Sequence, residues 1–287
     1  MLPFCGASQS CVIFLTERNV MPFPESPRVT YRRNVLETVI CQLRYSPLLR
    51  IETELPARFQ EAVRAHYPML TQLAPIDSAT GFPAEMLNLV KSMVPLSIGR
   101  TYQFSSEDGR WHVTLSKESI ALECKGAYTT WEDFMRRFTA PIEALRREYA
   151  PPFFSRIGLR YIDIVRRSKL NLQNVPWRDL LNPNIAGELN SPISDDVVEA
   201  AHVLVVKLNE HGDRVRMNHG RMTTQNPDEV SYVIDNDFFS EQRTETGNAR
   251  TKLDELHRES GNCFRWCISG TLHNAMEPQP VAVDRPA

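Results

Sequence analysis

The segment from Phe153 to Val165, just past the midpoint, constrains the fold of this chain more than any other. With side chains alternating between faces, Ile157, Leu159, Tyr161 and Val165 share one side with Asp163, and Arg156, Gly158, Arg160, Ile162 and Ile164 share the other. Both sides are largely apolar. The segment therefore reads as an interior strand, covered on both faces, on which neighbouring elements pack.

The elements on either side come in the same order. Thr38 to Tyr45 alternates as a strand, and Pro56 opens a short amphipathic helix on Leu55, Phe59, Val63 and Tyr67. Residues 69–98, with four prolines and glycines between them, read as a long ordered loop around a short helix at Glu85 to Met93. Three strands come next, at Thr101 to Ser105, Trp111 to Ser116 and Ser119 to Lys125. Thr130 and Asp133 make a capping-box pattern before a helix that should bend at Pro141 and end before Pro151. After the central strand come strands at Val197 to Leu208, Arg214 to Met222 and Val230 to Phe239. A helix capped by Asn248 then gathers Leu253, Leu256, Cys263, Phe264 and Cys267 on one face and runs on towards Met276.

Each half thus has three strands and a long helix. The predicted fold is α+β, with two similar lobes, each an antiparallel-rich sheet with a long helix packed on it. The predicted division is a disordered or extended arm at 1–27, a first lobe at 28–167, a second lobe at 168–276 and a disordered tail at 277–287. Residues 1–20 share no pattern with the rest of the chain and read as an extended start or a loose arm.

A chain of 287 residues can bury a core without staples, and its six scattered cysteines read as reduced thiols in a cytoplasmic protein. The formal charge of -2 gives no global field for a nucleic-acid backbone, although only six of the 33 basic residues are lysines. No apolar run approaches the ~18 residues of a membrane span. Cys263 and Cys267, four apart on one helix face, have no further ligands spaced to make a metal site and read as core residues.

Four stretches taken together, Glu37 to Tyr45, Tyr128 to Phe138 with Trp131-Glu132-Asp133-Phe134, Arg156 to Asp163 and Tyr232 to Phe239, resemble a sporadically distributed bacterial protein family of about this size. That family is known by patchy occurrence rather than by an assigned activity. The resemblance runs from about Met21 to Met276 and brings no catalytic residues with it. It implies an accessory role in a prokaryotic cytosol.

Three sets of residues are candidates for a site. Asp235 and Asp237 lie on the same side of a strand and could hold a hard divalent cation if a third oxygen ligand converged on them. Arg156 and Arg160, with Gly158 between them and Gln42 and Arg44 on a neighbouring strand, could line a basic pocket for a phosphate or carboxylate. Asp163 sits on an apolar face, where a carboxylate needs a partner; Arg44 and Arg160 are possible partners, although strand parity puts Arg160 on the opposite face, and a structural ion pair is the favoured role. His202, His211 and His219 have no ligand spacing, and no Gly-rich phosphate loop, nucleophile elbow, HExxH or paired CxxC is present. No cofactor is implied and no catalytic residue is assigned. The leading expectation is a non-enzymatic protein-binding module, acting through a protein partner or as a homodimer, for example in an antitoxin or defence system. The alternatives are a metal-dependent phosphoester hydrolase built on Asp235 and Asp237, and an RNA- or nucleotide-binding protein.

Overall fold

Period-two alternation dominates the chain, and the computed structural model, which describes residues 22–73, 99–223 and 229–281, turns it into one large sheet. The first half contains β1 (Val29–Tyr31), β2 (Leu36–Arg44), α1 (Arg50–Thr53), α2 (Ala57–Val63), β3 (Met69–Leu73), β4 (Thr101–Ser105), β5 (Trp111–Ser116), β6 (Ser119–Lys125) and α3 (Trp131–Tyr149). The second contains β7 (Arg156–Val165), α4 (Pro183–Ala186), β8 (Ala200–Lys207), β9 (Arg214–Thr223), β10 (Val230–Ser240), α5 (Ala249–Cys267), α6 (Gly270–Ala275) and β11 (Pro278–Pro280). The expected helix at Glu85 to Met93, Cys5, Cys11 and residues 1–20 lie outside the described residues.

Nine strands join in the order β3-β4-β5-β6-β2-β7-β10-β9-β8, all neighbours antiparallel. Both halves are wired alike. β2 pairs with β6, the last strand before α3, and β7 pairs with β10, the last strand before α5. The halves meet where β2 and β7 pair, with Val39 opposite Tyr161, Cys41 opposite Leu159 and Leu43 opposite Ile157. The chain is therefore α+β with an antiparallel sheet, and the strand singled out by the sequence lies inside it, next to the middle strand β2.

Cross-strand register shows which face the helices cover. Trp111, Cys124, Val39, Tyr161, Asn236 and Met217 form one row across the sheet. From α3, Phe134 packs 5.8 Å from the Trp111 ring; from α5, His257 bonds the Tyr161 hydroxyl and Cys263 meets Asn236. Both long helices thus lie on the same face. The expectation that β7 is covered by packed elements on both sides needs correcting among the described residues: there the second face carries ion pairs between its own arginines and the aspartates of β10.

Local chemistry accounts for the helix ends. Thr130 accepts the Asp133 amide, as the capping-box pattern predicts, and α3 stops at Ala150 in a left-handed conformation before Pro151. Pro141 deprives the Arg137 carbonyl of its intrahelical donor, and the Tyr67 hydroxyl supplies one at 3.1 Å. Asn248 precedes α5 without making the expected side-chain cap, and the helix breaks at Ile268, after which Ser269 caps α6. Cys41, Cys124, Cys263 and Cys267 are all buried free thiols.

The ends of the described chain are tied down. Phe23 is buried against Trp266, and Asn262 on α5 accepts the Ser26 amide at 3.0 Å. The tail expected to lack structure from 277 onwards contributes β11 instead, which pairs with β1 as a separate two-stranded sheet.

Candidate functional site

On the face away from the helices, the predicted basic and acidic residues meet one another. Arg160 grips Asp235 with two parallel bonds of 2.6 Å, and these side chains are only 9% and 3% exposed. Arg156 reaches Asp237 at 2.7 Å and lies over the Phe239 ring. Gly158 makes that reach possible, because a Cβ there would stand 2.3 Å from the Arg156 guanidinium. The space that Gly158 was expected to leave for a ligand is filled by the chain's own arginine. Gln42 lies opposite Gly158 and Arg44 opposite Arg156, so both share this face.

The electrostatics reflect this pairing. Burial works against the charge on Arg160, but the bond and charge of Asp235 outweigh it and raise its pKa. For Asp237 burial dominates and raises the pKa, although Arg156 and Arg160 pull it down. Both aspartates point the same way, as read from the sequence, and both are engaged by guanidinium groups. Among the described residues no three His, Cys, Asp or Glu side chains group to hold a metal ion.

Asp163 faces the other way, on the helix side, and does not make the expected ion pair. Arg160 is committed to Asp235, and among the described residues no hydrogen-bond or salt-bridge partner reaches Asp163, although it is only 6% exposed. Burial, then the charges of Asp235 and Glu37, push its carboxyl up to about 8. It stays protonated at neutral pH.

This carboxyl lines a cleft of about 820 Å³ at the seam between the halves. β7 and β10 supply its floor, α5 and the start of α3 two walls, and the segment from Ser26 to Leu36 the remaining side. Beside Asp163 on the floor stands Asn236, 2% exposed, whose carbonyl oxygen has no partner and whose amide has only the weak Cys263 thiol at 3.7 Å. Trp131 stacks on His257 at 4.5 Å and donates its indole N–H to Asp254 at 2.6 Å. The His257 Nδ1 sits 2.8 Å from the Tyr161 hydroxyl, and burial, with the Arg28 charge next, lowers its pKa to about 3. It is a neutral ring at physiological pH.

The mouth is rich in arginine. Arg28 pairs with Glu132 at 2.8 Å and Arg250 with Asp254 at 2.9 Å. Arg258 and Arg265 also line the cleft, and neither is paired with a carboxylate among the described residues. The Tyr31 hydroxyl feels the Arg265 charge, which lowers its pKa, and Asp163, which raises it; burial is the larger influence and raises Tyr31 to about 12.

Asn236 is the floor residue that sequence reading passed over. Its signal was present, since it shares parity with Ile234 and Phe238, but the flanking aspartates drew attention to the other face. His257 and the arginines of α5 carry no comparable signal: only the packing of α5 across the seam brings them to β7. Compared with known proteins, the chain matches no family model and no curated protein.

Proposed function

We propose that the protein is a non-enzymatic binding protein whose ligand enters the seam cleft and presents hydrogen-bond donors or positive charge to Asp163. Two similar lobes, each a set of strands with its long helix, would form the sides of such a site. The observation that carries this reading is a carboxyl buried without a partner in a cavity of ligand size. An unpaired buried carboxyl costs stability, and a ligand that completes its bonding removes that cost. The accessory role in a bacterial cell implied by the family resemblance fits a protein that senses or sequesters such a ligand.

Thermal melts at pH 8 against a panel of primary amines, guanidino compounds and nucleotides test this. A ligand present at about a hundred times its Kd should raise the melting temperature by roughly 5 °C or more. The Asp163→Asn variant should lose that rise. An equal rise in the variant sinks the reading.

A second reading, a protein partner, is favoured by β8. Among the described residues it is the last strand of the sheet, and Val203 and Val205 are 54% and 53% exposed along it. The occupant that fits is a second copy of the chain, paired antiparallel about Val203. That register sets Val205 opposite Ala201 and Lys207 opposite Glu199 at both ends. Light scattering on the eluting protein should give a dimer, and Val203→Lys a monomer of unchanged melting temperature. A monomeric parent protein removes this reading.

A further inference from the structure

We propose that the seam cleft is a guanine-nucleotide site, in which Asp163 takes the base's N1–H and 2-amino group, Asn236 its 6-oxo oxygen, and Arg258 and Arg265 the phosphate. The inference rests on the cleft reading and goes further by fixing the ligand's class.

The floor decides which end of the ligand goes in first. Asp163 lies opposite Ile234, so Asn236 is its diagonal neighbour on the same face, at a backbone spacing of roughly 7–8 Å that their side chains shorten. Two polar groups at that spacing fit the edge of one fused ring. Once it gives up its proton, as it does around pH 8, the Asp163 carboxylate accepts two parallel donors, and guanine is the common base that offers two adjacent N–H donors to it. The Asn236 amide, held only by a thiol, can turn its N–H towards the neighbouring oxo group. Adenine presents a ring nitrogen acceptor where guanine has N1–H, which leaves the carboxylate facing a lone pair.

The walls and mouth decide the rest. Tyr31, Tyr128, Tyr161 and Phe264 line the cleft with aromatic rings suited to a planar base. A simple amine or guanidino compound would satisfy Asp163 but would meet the positive charge of Arg258 and Arg265 with its other end. A ligand that is donor-rich at one end and anionic at the other matches both, and guanidinium groups suit phosphate oxygens.

Calorimetry on the full chain at pH 8 with GMP, guanosine, AMP and agmatine tests the assignment. GMP should bind with AMP weaker by roughly ten- to a hundredfold, the size of losing hydrogen bonds to a charged group. Arg265→Ala should weaken GMP while leaving guanosine unchanged, and Asp163→Asn should weaken both with the fold intact by circular dichroism. Equal binding of GMP and AMP overturns the guanine assignment. Binding of agmatine but not GMP, lost in Asp163→Asn, overturns it too while leaving the cleft reading in place, and no binding by any of the four, with no ligand in the melt panel, overturns both.

Discussion

Replacing Asp235 by alanine is expected to cost about 3–5 kcal/mol of folding stability, because it leaves the Arg160 guanidinium buried without its counter-charge. The two bonds of 2.6 Å satisfy one edge of the guanidinium, and the surrounding sheet gives it little water. The same position tolerates the loss of both charges far better. Arg160→Met combined with Asp235→Leu should recover most of the loss, since the desolvation of both ions goes with them. Urea titration followed by tryptophan fluorescence measures this as a lower midpoint at unchanged slope for the single variant and a near-parental midpoint for the double. A single variant that unfolds like the parent would mean that Arg160 is hydrated. Asp237→Ala should cost less, because Arg156 and Asp237 are more exposed, at 17% and 14%.

Asp163→Asn should have the opposite sign. The folded carboxyl holds its proton up to about pH 8, whereas in the unfolded chain it ionises near its ordinary value of 3.8. Between those two pH values the folded state binds the extra proton, so stability falls as pH rises, by about 1.4 kcal/mol per unit at most. Asparagine has no such proton. The variant should match the parent near pH 4 and exceed it by on the order of 3–5 kcal/mol at pH 8. Melting temperatures across that range measure the gap; parallel curves would show that Asp163 is ionised and partnered in the folded protein. Read from the sequence alone, as one half of an ion pair, Asp163 would be a stabilising residue whose removal lowers the melting temperature. Parity already sets Arg160 on the opposite face; the change of sign comes from register, which places Arg44, the other possible partner, opposite Arg156 on that same face and leaves Asp163 without a cation among the described residues.

Asp163 marks how far the sequence could be read. Strand parity placed Arg156, Arg160, Asp235 and Asp237 correctly on their faces, because a period of two needs no tertiary knowledge. It also identified an interior strand, most of the other strands and both long helices, but it read Met69–Leu73, which is β3, as loop and gave no strand at β1 or β11. It could not say that Asp235 lies within reach of Arg160, since that depends on β10 pairing with β7 across about seventy intervening residues. Nor could it show that the first strand of each half runs through the middle of the sheet, joining both halves at β2 and β7. The cleft was the least legible feature. Its lining comes from the lead-in segment, the start of α3, β7, β10 and α5, which are scattered along nearly the whole described chain.

The pairing of β1 with β11 has a kinetic consequence. Val29 lies opposite Pro280, so one wall of the cleft is fastened by residues at the far end of the described chain. Contacts between such distant positions close late, because the intervening polymer must already be ordered. A nascent polypeptide can assemble its first hairpins while translation continues, yet the wall of the seam cleft stays unfastened until Pro278 to Pro280 have been added.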